Sequence, residues 1–368
     1  DDAHSLLNTK TASGTVYVSA NGEKGVTPAS ELAKTKIMSF DQGSSVTLKG
    51  VTTMTDESMY GIVTPVSQDE SAGYVGGKYE VDKNVVSDKA LRTIGAVRRA
   101  GRFIMAGMDA PLYPDSNDEN VWAHWSRGNY GPGDWSGSHN DLAAGVDLYH
   151  TDHSRAGISV MHTNSSLDRT ENLGEVSMKK KFTRVSLYGC HDFAGGLHAA
   201  GDVFAGGIRI KDTSLVDMST RTAGVHAEVG VDVPAGRGTI TPLVRAAYAG
   251  IRGFTTKDGK GFPFTMKESH YSSFSAGLKA SLPLSPVSLL TAYAGWGIRT
   301  GYDIDGTMSD AWNTMDISES GKEHVKTLGI GYRCDVTPFA RLSLSAAREF
   351  SSGLHDDWNF QVSAAYKF

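Results

Sequence analysis

The chain has 368 residues, a formal net charge of -5, 39% hydrophobic residues, 42 glycines and 2 cysteines. That balance argues against nucleic acid, whose partners carry basic patches, and two cysteines are too few for a disulfide framework. Mean hydropathy is -0.28, and no run approaches the ~18 consecutive apolar residues of a membrane helix. A spanning strand, however, alternates and hides its apolarity in any average.

Residues 1–82 are polar, with short β-like runs at Gly14–Ser19 and Ser45–Leu48. The opening Asp1-Asp2-Ala3-His4 has no starting Met and no apolar signal region, so a processed or truncated fragment is expected. Val85 to Gly107 is the one helical stretch, with Ser87 and Asp88 at its start. Lys89, Arg92, Arg98, Arg99 and Arg102 make it strongly basic.

From about residue 119 onward, segments of roughly ten residues alternate apolar and polar between Gly, Asp, Asn and Ser clusters. In the last one, Phe360, Val362, Ala364, Tyr366 and Phe368 oppose Gln361, Ser363, Ala365 and Lys367. Side chains alternate across a strand, so one face is greasy and the other wet. Phe274, Ala276, Leu278 and Ala280 oppose Ser273, Ser275, Gly277 and Lys279 in the same way, as do Leu328, Ile330 and Tyr332 against Gly329, Gly331 and Arg333. A soluble sandwich also alternates. Against it, the wet face carries Glu228, Arg245, Lys279 and Arg333 at mid-strand, as an aqueous lumen would, and the apolar set runs to the last residue.

Twelve such segments begin near Asn120, His139, Arg155, Thr183, Leu197, Thr222, Thr239, Tyr271, Val287, Val325, Ala340 and Trp358. An even number closes into an antiparallel barrel with no free edge. Short turns at 151–153, 234–236, 283–286 and 337–338 alternate with longer polar stretches at 165–182, 211–221, 254–270 and 301–324. Short periplasmic turns and long external loops mark outer-membrane barrels, which sets both the first strand's start and the C-terminus on the periplasmic side. Strand phase puts Cys334 with the outward set and Cys190 with the inward set, so no disulfide joins them.

Chemistry-bearing motifs are missing. The 12 histidines are scattered, with His191, His198 and His226 lacking metal-ligand spacing, and neither Gly-x-Ser-x-Gly nor a phosphate loop occurs. No enzyme activity, metal or cofactor is expected.

Trp358–Phe368 resembles the closing strand of the autotransporter (type V secretion) β-domain of Gram-negative bacteria. Asn120–Trp125 resembles its opening strand, Leu142–Leu148 its second, Gly224–Gly230 a mid-barrel strand with an inward Glu, and Thr241–Val244 the following strand with its Pro. The resemblance implies an all-β protein: an antiparallel transmembrane β-barrel of about 12 strands with an α-helix in the lumen, preceded by a β-rich passenger remnant. Residues 1–82 would be the autochaperone-like passenger end, 83–118 a linker with the lumen helix, and 119–368 the translocator that exports and anchors the passenger. A stand-alone porin or adhesin-type barrel with a helical plug is the alternative.

The resemblance further implies a monomer in the bacterial outer membrane, with its passenger at the cell surface or secreted. Its partners would be membrane lipid and lipopolysaccharide, periplasmic chaperones, its own passenger, and a barrel-assembly machinery that reads Phe360, Tyr366 and Phe368. The helix arginines are expected to face acidic wall residues Asp147, Glu228, Asp232, Asp335 and Glu349, with Glu228 foremost, because an unpaired charge in a confined pore is costly. Some members release the passenger when a lumen-helix Asn attacks its own backbone. Asn84 sits at the corresponding place, but Lys83 and Val85 depart from the Asn-Asn pair of that group.

Overall fold

Period-two alternation over eleven or more residues leaves a segment one way to satisfy both faces, a strand between lipid and water. In the computed structural model, which describes residues 7–9, 13–19, 27–41, 44–111, 120–131, 135–171, 174–212, 217–256, 261–301, 304–351 and 355–367, these segments form twelve long strands. They are β1 (Val121–Gly131), β2 (Trp135–His150), β3 (Ser154–Glu171), β4 (Gly174–Asp192), β5 (Leu197–Asp212) and β6 (Asp217–Val231). β7 (Gly238–Ile251), β8 (Ser269–Ser285), β9 (Ser288–Thr300), β10 (Lys322–Thr337), β11 (Ala340–Phe350) and β12 (His355–Tyr366) complete the set. Each pairs antiparallel with its chain neighbours, and β1 pairs with β12 (Val121↔Tyr366), so the sheet closes. No helix among the described residues is long and apolar enough to cross a membrane.

The two faces separate as the alternation requires. Phe274, Leu278, Leu328, Ile330, Leu342, Leu344, Phe360 and Val362 are all exposed outward, while Trp122, Ser126, Tyr188, Phe204 and His226 are buried on the inward face. Two stretches expected to be loops, 165–182 and 211–221, are largely strand. β3 continues to Glu171 and β4 starts at Gly174, so this hairpin's strands have 18 and 19 residues. A tilted strand needs only ~9–11 residues to cross the bilayer. The polar loop-side residues therefore extend the wall beyond the membrane, still hydrogen-bonded.

Glycine abundance has a packing cause on the inward face. The Trp122 indole lies against Gly145 on β2, and the Tyr293 ring lies against Gly277 and Gly295, where a Cβ would collide with it. Large rings lie flat on the wall only where the strand beneath has no side chain. Both cysteines are free: Cys190 follows the buried Ser186 and Tyr188 on the inward face, and Cys334 follows the exposed Tyr332.

The N-terminal unit comprises residues 1–95 together with 261–264 and 307–316. Strand Ser13–Val18 pairs in parallel with Ser45–Gly50, and Leu7–Thr9 pairs in parallel with Glu31–Phe40. Glu31–Phe40 also pairs antiparallel with Ala72–Lys78. Met38, Phe40, Val46 and Leu48 form its core, with Val16, Val18, Ile37 and Val66 packed against them. Gln68 acts as an extra strand position, accepting from the Leu48 N–H (2.8 Å) and donating to the Val46 carbonyl (2.9 Å).

Lipid-face positions should not tolerate charge. Lys at Leu278 or Ile330 should cost ~2–4 kcal/mol near the midplane, whereas Lys at Ser275 or Gly329, on the lumen face, should cost far less. Folding yield into lipid vesicles, scored by heat-modifiable gel mobility, should fall only for the first pair.

Candidate functional site

The helix expected from the sequence is present as α1 (Asp88–Met105). Ser87 Oγ accepts from the Ala90 N–H (3.3 Å), an N-cap that satisfies one of the first turn's free donors. Ala90, Thr93, Ala96, Val97, Ala100, Phe103 and Ile104 are buried at spacings of three and four, so α1 has one apolar face, while Arg92, Arg98 and Arg102 lie on the exposed one. Gly107, with φ 79°, ends the helix in the left-handed conformation that glycine adopts freely.

Residues 88–95 of α1 belong to the N-terminal unit, and residues 96–105 belong to the barrel unit. Lys89 accordingly donates to the Asp56 carbonyl (3.0 Å) and sits over the Phe262 ring, contacts within the N-terminal unit. In the barrel unit, the end of α1 and residues 106–110 touch inward side chains of four different strands. The Phe103 ring meets Tyr130 of β1 edge-on at 5.8 Å. Lys180 of β4 donates to the carbonyls of Phe103 (2.9 Å) and Ala106 (2.7 Å), with its ammonium over the Phe103 ring. Arg184 of β4 donates to the Ala110 carbonyl. His226 of β6 donates through Nε2 to the Met108 carbonyl (2.7 Å), its Nδ1 lying 2.8 Å from Asp202. Arg299 of β9 binds the Asp109 carboxylate at 2.7 Å and Glu349 of β11 at 3.1 Å. Partners spread over four strands of a closed wall enclose this segment in the lumen. Tyr130 and Arg299 each lie one residue from the loop end of their strands, so the segment is held in the loop-side half.

The chemistry reverses the expected polarity. Instead of an acidic wall facing a basic helix, a cationic wall grips the helix's carbonyl end. Phe103 offers one of the last four helix carbonyls, which lack intrahelical partners and carry the negative end of the dipole, so a cationic donor belongs there. Ala106, Met108 and Ala110 are gripped in the segment just beyond the helix. Arg98 and Arg102 pair with Glu319 (3.3 and 2.5 Å), a residue between β9 and β10. Glu228 is instead bound by Arg245 and flanked by His198 at 3.9 Å. Asp147 accepts from the Tyr188 hydroxyl (2.5 Å) and lies 3.0 Å from His150, Asp232 accepts from Thr241 (2.5 Å), and Asp335 accepts from Arg341 (2.5 Å). Wall carboxylates are consumed by wall neighbours one or two strands away, which short side chains reach sooner than a central helix. Asn84 lies exposed in the extended strand Glu80–Val86 rather than in the helix. Tyr366 and Phe360 are exposed on the outward face, and Phe368 lies outside the described residues.

Sequence reasoning missed Lys180, Arg184, His226 and Arg299 as plug contacts. The signal was there in part: Lys180 and Arg184 fall on the lumen phase of β4 among large residues, Phe182 and Tyr188. Beside the gripped segment remains a cavity of about 260 Å³, lined by Met105, Asp109, Tyr130, Arg245, Tyr293 and Glu349 among others.

A family model, the autotransporter beta-domain, matches residues 120–347, more than half of the chain. The chain belongs to that family. It is an outer-membrane translocator barrel, of the kind that carries its passenger at the cell surface. The β domain of the Bordetella autotransporter BrkA superposes with a TM-score of 0.53 at 15% identity, covering 68% of this chain and 100% of that one. The transport unit of AIDA-I from Escherichia coli gives a TM-score of 0.57 at 16% identity, over 75% and 99% of the two chains. No curated protein matches the autotransporter chain described here.

Hydrogen bonds to charged groups contribute ~1.5–3 kcal/mol each. Replacing Lys180 with Met, which keeps its bulk and removes two of these bonds, should loosen the plug. In planar bilayers the Lys180→Met/Arg299→Met barrel should open to ions far more often than the parent. Parent-like silence would show that the wall cations do not hold it.

Proposed function

We propose that residues 1–82 are the end of the passenger, that 83–118 form the linker left in the pore after export, and that the wall cations lock this linker in the loop-side mouth. Loops then face the cell exterior and the short turns face the periplasm. The single observation behind this reading is the grip on residues 103–110 by β4, β6 and β9. Asn120, where the chain enters β1, lies at the turn end. Ten residue steps separate Ala110 from Asn120, a reach of up to ~36 Å against a hydrocarbon core of ~30 Å. A chain that enters the barrel at the loop side and starts its first strand at the turn side passes through the pore. A passenger exported through that pore ends outside, still tethered.

In this reading the helix arginines are not the plug's anchor. They keep its solvent face wet, with Glu319 tying two of them to the loop region. The apolar C-terminal strand, with Phe360 and Tyr366 outward and Phe368 at the last position, serves recognition by the barrel-assembly machinery. A member without the lumen helix's Asn-Asn pair is read as keeping its passenger attached, with Asn84 a plain strand residue.

Two outcomes test this. Deleting residues 88–111 should turn a closed barrel into an ion-conducting pore in planar bilayers, whereas a stand-alone porin would conduct equally before and after. Removing Phe368 should lower insertion into the outer membrane of cells while leaving the thermal stability of barrels that do insert unchanged. Unchanged insertion would remove the recognition role.

A further inference from the structure

We propose that the outward face of β4, β5 and β6, at its loop end, is a binding site for the phosphate groups of an outer-leaflet glycolipid. Lys179 and Lys181 of β4, Arg209 and Lys211 of β5, and Arg221 of β6 are all exposed there, in phase with the lipid-facing residues of their strands. Two pairs stand directly opposite each other across the β4–β5 ladder: Lys179↔Lys211 and Lys181↔Arg209. Opposed side chains on neighbouring strands have Cβ atoms only ~4.5–5.5 Å apart, and like charges in that position destabilise the pairing. Two such pairs in succession call for an anion.

The protein supplies only part of it. Asp217 reaches Arg209 (3.1 Å) and Lys211 (3.6 Å), and Asp168 of β3 is exposed on the same face. Among the residues whose side chains are described, five cations against two carboxylates leave +3 on this patch, in a chain whose net charge is -5. Arg209 and Lys211 stay more than half exposed despite Asp217, at 56% and 59%. Between them and Arg221 lies Gly207, paired with Arg221, and a side chain added at this glycine would meet open space. The outward space over Gly207, beside the cations, is thus left open.

Height on the barrel selects the ligand. Below the patch the same strands turn Val185, Leu187, Val203 and Val225 outward, all exposed, and the apolar set continues down to Phe193 near the turns. Twelve residue steps separate Phe193 from Lys181. At ~3.3 Å per residue and a tilt of ~35–45°, they rise about 30 Å along the membrane normal, so the cations emerge where the hydrocarbon ends. Free phosphate would have no reason to gather there. A phosphorylated lipid, its acyl chains on the valines and leucine below, fits both parts. The opposite wall differs at this level: Trp296, Phe350, Trp358 and Phe360 are exposed there, with Arg348 stacked on Phe350 and Trp358.

The site rests on the outward orientation of the loops, so folding is scored separately by heat-modifiable mobility of the full chain. Purified barrel in detergent is mixed with bisphosphorylated lipid A or its dephosphorylated form, and retained lipid is read by native mass spectrometry. The folded parent should retain the bisphosphorylated lipid selectively. Lys179→Gln/Lys181→Gln/Arg209→Gln/Lys211→Gln/Arg221→Gln should retain about tenfold less or lower, and millimolar inorganic phosphate should not displace the lipid. Asp217→Asn, which removes the competing carboxylate and no cation, should strengthen retention. A folded five-site variant that retains lipid like the parent overturns the proposal. So does an equal loss from Arg127→Gln/Lys326→Gln/Arg348→Gln on the other wall, complete displacement by inorganic phosphate, or preference for an acidic peptide over the lipid.

Discussion

A helix that ends inside a closed barrel leaves its last turn and the segment that follows with backbone carbonyls in a confined space, and everything about this lumen follows from how they are satisfied. Water in the pore could solvate them, but the segment would then be free to slide. Here Phe103, Ala106, Met108 and Ala110 offer carbonyls to Lys180, His226 and Arg184, and Asp109 adds a carboxylate for Arg299. Cations at a helix C-terminus are favoured by the dipole as well as by hydrogen bonding. Because the donors come from β4, β6 and β9, the grip is distributed around the wall. It binds backbone more than side chains, so it demands little of the plug's sequence beyond its geometry.

The wall is arranged to support those donors. Asp202 backs His226, Glu349 backs Arg299, and the rings of Phe182 and Phe204 flank Arg184. A cation buried without such support would be costly. The remaining wall carboxylates are engaged locally, as Glu228 is by Arg245 and Asp147 by Tyr188 and His150. Inward glycines let Trp122 and Tyr293 lie flat on the strands, which keeps the lumen wide enough for a helix beside the residual cavity.

How much of this was legible in the sequence differs sharply between levels. All twelve strands could be read, and for those with the cleanest alternation, such as Phe274–Leu282 and Phe360–Phe368, the inward and outward faces as well, since lipid on one side and water on the other impose a period of two. Their loop-side ends could not, because polar residues such as Lys179 and Lys211 look like loop when a strand simply outgrows the bilayer. The helix was legible from its start at Ser87 and Asp88, its length and its lack of proline. Its partners were not. Charge alone matched the helix arginines to Glu228, yet backbone carbonyls, invisible in composition, are the stronger claimants on the wall's cations. Arg98 and Arg102 then found Glu319, 217 and more residues along the chain, a proximity that only closure of the barrel creates.

The central claim is that wall cations fix the end of the helix in the lumen, and thiol accessibility tests it most directly. A single cysteine at Met108, in a chain with Cys190→Ser and Cys334→Ser, is exposed to a membrane-impermeant thiol reagent from the loop side of reconstituted vesicles. Protection in this background, and rapid labelling once Lys180→Met and Arg184→Met are added, is the predicted result. Equal labelling with and without the two wall substitutions would contradict it.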